Sequence, residues 1–199
     1  MKKEMSQITN VTPLYETRFL SFYKIEYLNK LGELKSWIMA SRKNYEVVKD
    51  ILLNGKSSNA DAVSILAFHK DEQETERIVM IKQFRVPVGD YIYEFPAGLI
   101  DNGETAVDAG IREFLEETGL HLENAEQIGR QGFVSAGMTD ESISLVKGYC
   151  FGTPSSKLQE ADEDIEILLL TKEEAKMLLN SDKKLSYKAM VALSAFVVN

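Results

Sequence analysis

Gly98-Leu99-Ile100-Asp101-Asn102-Gly103-Glu104-Thr105-Ala106-Val107-Asp108-Ala109-Gly110-Ile111-Arg112-Glu113-Phe114-Leu115-Glu116-Glu117-Thr118-Gly119-Leu120 is the stretch on which the chain turns. Val107, Ile111 and Phe114 recur at helical spacing, Thr105 with Asp108 three residues later has the pattern of an N-terminal cap, and Gly119 is a stop. A helix over 105–118, about three to four turns long, is predicted. Glu113, Glu116 and Glu117 stand at i, i+3 and i+4, so their carboxylates leave one side of that helix. Each like-charged pair at this spacing costs roughly 0.2 to 0.5 kcal/mol, and carboxylates in a last turn also oppose the helix dipole. Arg112 is within reach of Glu116 at i+4 and Asp108 at i−4, but one guanidinium cannot neutralise the cluster. Hard oxygen donors on a rigid element suit Mg²⁺ or Mn²⁺, and these ions suit phosphate chemistry. Taken alone, the commoner reading of such a face is a solvated helix surface.

Working outward, Ala62–Phe68 and Arg77–Phe84 are dense in apolar residues and flank a polar turn, Lys70–Glu76, as paired buried strands do. Residues 14–41 alternate loosely around a turn at Asn29–Gly32, which predicts a small antiparallel β unit. Beyond the central helix, strands are expected at 142–150 and 165–170, then helices at 172–180 and 187–198. An acidic loop, Gln159-Glu160-Ala161-Asp162-Glu163-Asp164, precedes the last strand. This order implies an α/β fold with a mixed sheet covered on both faces. The division expected is residues 1–58, an N-terminal β unit and linker, and residues 59–199, the main domain.

Composition sets the limits. At 199 residues, with 44% hydrophobic and 27% charged, the chain suits one globular domain or a domain with a small appendage. No apolar run is long enough for a membrane span, and Met1–Ser6 lacks the apolar stretch of a secretory signal, so a cytoplasmic location is expected. Cys150 is the only cysteine and His69 and His121 the only histidines, which argues against a disulfide or a Cys/His zinc site. A net charge of −8 is a poor start for binding nucleic acid. An acidic protein that handles phosphates needs local cations, either a few placed arginines or bound divalent metal.

Gly98, Glu104, Arg112, Glu113, Glu116, Glu117 and Gly119, in that spacing and followed by Leu120, reproduce the Nudix box in full, and the chain resembles that family. Seven fixed residues, each of about 6% usage, would arise by chance in such a chain with probability on the order of 10⁻⁶. The resemblance implies the Nudix α/β/α sandwich, in which a loop–helix–loop holds two or three Mg²⁺ or Mn²⁺ ions against a diphosphate. By position it makes Glu113 and Glu117 the principal metal ligands, with Glu116 beside them and the Ala97 carbonyl as a backbone ligand. Arg112 and Glu104 take the place of residues that orient those carboxylates, and Gly98 permits close approach of the chain.

The flanks, Gln83-Phe84-Arg85 and Glu94-Phe95-Pro96-Ala97-Gly98, resemble the ADP-ribose pyrophosphatase branch of the family. That resemblance implies hydrolysis of ADP-ribose, or a similar nucleoside diphosphate sugar, to AMP and ribose 5-phosphate. It gives Arg85 a contact with the substrate's phosphates; without it Arg85 is a surface residue ending a strand. Lys35-Ser36-Trp37, with Arg42 beyond and Phe19 as a second aromatic, resembles the base-recognition segment of dimeric ADP-sugar hydrolases and implies a homodimer. As residues alone, Trp37 and Phe19 are equally core side chains. The final carboxylate, a general base or further ligand, is assigned to Glu163, with Glu160 or Asp162 as alternatives in a loop that is otherwise merely solvated. Ala136, in Ser135-Ala136-Gly137, replaces a proline common in the branch, so another nucleotide sugar or a dinucleotide (GDP-mannose, NADH) stays open as substrate. A non-catalytic nucleotide-sugar sensor is the reading of a different class.

Overall fold

Burial along residues 21–25 alternates residue by residue, with Ser21, Tyr23 and Ile25 covered and the side chains between them not. This is the period of a half-buried strand. The computed structural model describes residues 6–70, 75–161 and 163–198. It divides the chain into two compact units.

The first unit gathers the described residues up to Asp61 with Gln131–Ile143. Its strands β1 (Gln7–Tyr15), β2 (Ser21–Leu28) and β3 (Leu34–Ser41) form a three-stranded sheet in that order, each pair antiparallel. Helix α1 (Tyr45–Asn54) follows, capped by the Asn44 side chain, which accepts from the Val47 amide at 3.1 Å. Val11, Tyr23, Ile25 and Val48 form the core between sheet and helix. The predicted turn is present: Asn29 Oδ1 accepts from the amides of Leu31 and Glu33 at 2.9 and 3.0 Å. The unit starts earlier than residue 14, however. β1 is an edge strand with little buried besides Val11, so its Thr, Asn and Pro residues carry no apolar alternation to read. The helix α1 was equally hidden inside what reads as a linker.

The second unit comprises Ala62–Arg130 and Ser144–Asn199. Strands β4 (Ala62–Lys70), β5 (Glu76–Arg85), β6 (Asp90–Glu94), β7 (Ala97–Leu99), β8 (His121–Phe133), β9 (Ser142–Phe151) and β10 (Ile165–Leu170) make a seven-stranded sheet, order β10-β5-β4-β9-β8, with β6 on β5 and β7 on β4. Three helices belong to it: α2 (Ala106–Thr118), α3 (Lys172–Leu179) and α4 (Tyr187–Val198). Val63, Ile65, Ala67 and Val79 point to one side and pack with Ala109 and Phe114 of α2. Ile78 and Met80, one residue out of phase, point the other way, to Ala175, Ala189, Leu193 and Phe196 of α3 and α4. The sheet is therefore covered on both faces, the α/β/α sandwich expected. Strand β8 had no legible period because nearly all of its side chains are exposed. Residues 71–74 of the turn between β4 and β5 lie outside the described residues. Among the described residues no helix is long and apolar enough to cross a membrane.

Candidate active site

Helix α2 begins where its sequence says it should. Thr105 Oγ1 accepts from the Asp108 amide at 3.2 Å, and Asp108 accepts in return from the Thr105 amide at 3.2 Å, so two free amides of the first turn are paired. Asp108 is thereby engaged by the cap, and Arg112 turns elsewhere. Its Nε and Nη2 each donate to a Glu104 oxygen at 2.9 Å, and Nη1 donates to Glu113 at 2.8 Å and to Glu116 at 3.1 Å. A further bond runs from Nη2 to the Leu99 carbonyl at 3.1 Å. This fork of donors matches the two-oxygen geometry of a carboxylate and ties the loop before α2 to its last two turns. The Arg112 bonds, with a further one from the Asp101 amide, hold the Glu104 carboxyl down at about 2.

The other end of the cluster is buried. Burial pushes the Glu117 carboxyl well above the usual carboxylate range; the Ala97 amide, which donates to it at 3.1 Å, and Arg85 oppose that, while Glu113 and Glu163 reinforce it. Glu113 is raised for the same first reason, desolvation, against the pull of Arg112. A Cβ built on Gly98 would lie 1.9 Å from the carboxyl carbon of Glu113, so only glycine lets strand β7 approach this carboxylate. The structure thus brings together Ala97, Gly98, Glu104, Arg112, Glu113, Glu116 and Glu117.

Across from them stand residues of β5 and of the acidic loop. A cleft of about 270 Å³ is lined by Gln83, Arg85, Ala97, Gly98, Glu113, Glu116, Glu117, Glu160 and Glu163, among others. Arg85 closes β5 and its Nε donates to the buried Glu94 at 2.6 Å, so its orientation is fixed and not that of a free surface arginine. The loop is anchored to the end of α2: Gln159 Nε2 donates to the Glu117 carbonyl at 2.7 Å and the Ser155 amide to the Thr118 carbonyl at 2.9 Å. Glu163 accepts from the Glu160 amide at 2.8 Å, a bond internal to the loop. Of the three loop candidates, Glu160 and Glu163 both reach the cleft, and Asp162 lies outside the described residues.

Among the described residues no three acidic, histidine or cysteine side chains converge as a finished ligand cage; the carboxylates are occupied by Arg112 and the Ala97 amide. The donor set nevertheless fits a hard divalent cation. Among the described residues several carboxylates, two of them desolvated, share one cleft with two guanidiniums, of which Arg85 is turned to Glu94 and Arg112 is divided between Glu104, Glu113 and Glu116. A cation there would relieve the repulsion that burial intensifies. Glu94 and Gln83 also belong to this site, beyond the residues expected from the sequence. Their signal was the two-residue period: Gln83 and Arg85 share a strand face, and Glu94 sits opposite Ile81 on that same face.

The remaining predicted residues lie in the first unit. Trp37 is 53% exposed and Phe19 69%, so neither is a core side chain. The Trp37 ring shares the sheet face of its register partner Ile25 and lines an apolar cavity of about 430 Å³ with Tyr27, Met39, Phe133 and Met138. Its indole N–H donates to the Gly137 carbonyl at 3.0 Å. Phe19 stands in the turn before β2 with the Arg18 guanidinium 5.1 Å from its ring centre. Arg42 is paired with Glu141 at 2.6 Å.

The NUDIX domain family model matches residues 58–189. The chain is 37% identical over 119 residues to an ADP-sugar pyrophosphatase of Mus musculus, a match covering 60% of this chain and 50% of the mouse protein, so the chain spans about half the length of that relative. It is 31% identical over 169 residues to a putative nudix hydrolase 2 of Caenorhabditis elegans, covering 82% of this chain and 71% of that one. It is 32% identical over 155 residues to an ADP-ribose pyrophosphatase of Bacillus subtilis, covering 73% and 80%. In fold it matches the crystal structure of an ADP compounds hydrolase with a TM-score of 0.71 over 100% of this chain and 95% of that one, at 14% sequence identity. With the box, the sandwich and the family match in agreement, the chain belongs to the Nudix family, and within it to the ADP-ribose pyrophosphatase branch.

Proposed function

We propose that this protein hydrolyses the diphosphate of ADP-ribose or a similar nucleoside diphosphate sugar, giving AMP and ribose 5-phosphate from ADP-ribose. The observation that carries the reading is the single cleft shared by Ala97, Gly98, Glu113, Glu116, Glu117, Glu163 and Arg85. The names of the mouse and B. subtilis relatives support the substrate class. Glu113 and Glu117, with Glu116 and the Ala97 carbonyl, are the oxygen donors that would hold two or three Mg²⁺ or Mn²⁺ ions. Such ions, when bound, offset the phosphate charge and raise the acidity of coordinated water.

The chain's own groups have separable tasks. Arg85, fixed by Glu94, presents its remaining donors to the diphosphate and holds it in line. Arg112 and Glu104 keep Glu113 and Glu116 oriented, and Gly98 leaves room for the Glu113 carboxylate. Glu163 takes the proton of the attacking water, Glu160 beside it being the alternative. The first unit contributes base recognition through Trp37, Phe19 and Arg42 in a homodimer. The test is a panel of ADP-ribose, ADP-glucose, GDP-mannose and NADH, each with Mg²⁺ and with Mn²⁺, read by phosphatase-coupled phosphate release. ADP-ribose is expected to lead, and replacing Glu117→Gln should abolish turnover without loss of the folded state. Full activity in that variant would end the assignment.

A further inference from the structure

Gln83 lines the cleft and carries a buried polar atom that nothing among the described residues satisfies. Its backbone on β5 is flanked by Ile165 of β10 and Ile92 of β6, so the side chain is carried by a strand paired on both edges. The residue is 9% exposed, lines the cleft beside Arg85, Glu117 and Glu163, and its Oε1 is buried without a hydrogen-bond partner among the described residues. Buried polar atoms are paired in most native proteins, and an orphaned one in a ligand cleft calls for a reason. The neighbours explain why no partner is at hand. The ionised cleft carboxylates offer acceptors, the Arg85 Nε is committed to Glu94, and the other Arg85 donors make no bond to Gln83 Oε1.

We infer that Gln83 is a substrate-contact residue whose amide oxygen accepts a hydrogen bond from a sugar hydroxyl next to the diphosphate. This rests on the nucleotide-sugar reading above. An ionised diphosphate presents acceptors only, so it cannot satisfy Oε1, whereas the sugars on either side of it carry hydroxyl donors. Gln83 shares a strand face with Arg85, the residue given the diphosphate, which places a hydroxyl acceptor beside a phosphate donor. Such a pair reads a sugar phosphate as a unit, and losing the hydroxyl leaves the amide oxygen unpaired, which is how a site discriminates.

The test is Gln83→Met, close in length and without the amide. Calorimetric affinity is measured with Mg²⁺ for two non-hydrolysable probes, α,β-methylene ADP-ribose and α,β-methylene ADP, which lacks the distal sugar. A roughly tenfold weaker affinity is expected for the first probe. If only that probe weakens, the hydroxyl belongs to the distal sugar; if both weaken, it belongs to the proximal ribose. The thermal midpoint of the free variant should be unchanged or higher, because an unsatisfied buried acceptor has been removed. Unchanged affinity for both probes, or a midpoint lowered by several degrees as for a residue bonded within the protein, overturns the inference. Failure of the wild type to bind either probe overturns the nucleotide-sugar reading itself, and the inference with it.

Discussion

Gly98 and Glu113 are fifteen positions apart in sequence yet share one volume: the space a Cβ would fill is taken by the Glu113 carboxyl, at 1.9 Å from its carbon and 2.1 Å from Oε1. Replacing Gly98→Ala therefore moves the carboxylate, not the strand, because the far end of a glutamate is softer than a paired backbone. Displacement of such a group by an ångström is expected to lower kcat/KM on the order of 10²-fold. Steady-state kinetics beside a thermal melt check this. The expected pattern is a large loss of rate with a small loss of stability, and a variant as active as the wild type would remove Glu113 from the catalytic set.

At the scale of the element, α2 is held at both ends by devices visible in sequence and by one that is not. The Thr105–Asp108 capping box and the left-handed Gly119 (φ 68°) follow from residue type. A Cβ on Gly119 would also lie 2.7 Å from Ser155, a contact from the far loop that no local pattern announces. Thr105→Ala removes the side-chain acceptor for the Asp108 amide and is expected to cost about 1 kcal/mol, a fall in thermal midpoint of roughly 2–4 °C. Calorimetry measures it, and an unchanged midpoint would mean that the cap is replaced by solvent without loss. Since the cap lies two turns or more from Glu113 and Glu117, kcat should stay close to wild type.

At the scale of the whole molecule, the first unit leaves large apolar side chains exposed on the face of its sheet away from α1: Phe22 40%, Leu34 63% and Ile38 53%. Apolar surface of this kind marks an interaction face more often than idle surface. The proposed homodimer would cover it, and sedimentation at micromolar concentration should then give a mass about twice the 22.4 kDa of the chain. Ile38, opposite Lys24 on the face away from α1, can be tested without disturbing the core. Ile38→Glu is expected to shift the species toward monomer while leaving the melt nearly unchanged. A wild-type monomer under these conditions would remove the dimer.

The sequence by itself determined what depends on neighbours along one element: the α2 boundaries, the shared side of Glu113, Glu116 and Glu117, and the apolar density that marked β4 and β5 as buried strands. A period of 3.6 and a short continuous apolar run need no partner to be read. Elements whose side chains are mostly exposed, β1 and β8, carried no such period and stayed unread. Only the tertiary structure decided who neutralises whom. Arg112 pairs with Glu104 and Glu113 instead of Asp108, Arg85 with Glu94, and Glu117 with an amide from β7. It also gave Gln131–Ile143 to the unit of Trp37 and left Gln83 Oε1 buried without a donor among the described residues. The physical reason is that desolvation and hydrogen-bond pairing are properties of what surrounds an atom in space, and spacing along the chain fixes only the part of that surrounding within the same helix or strand.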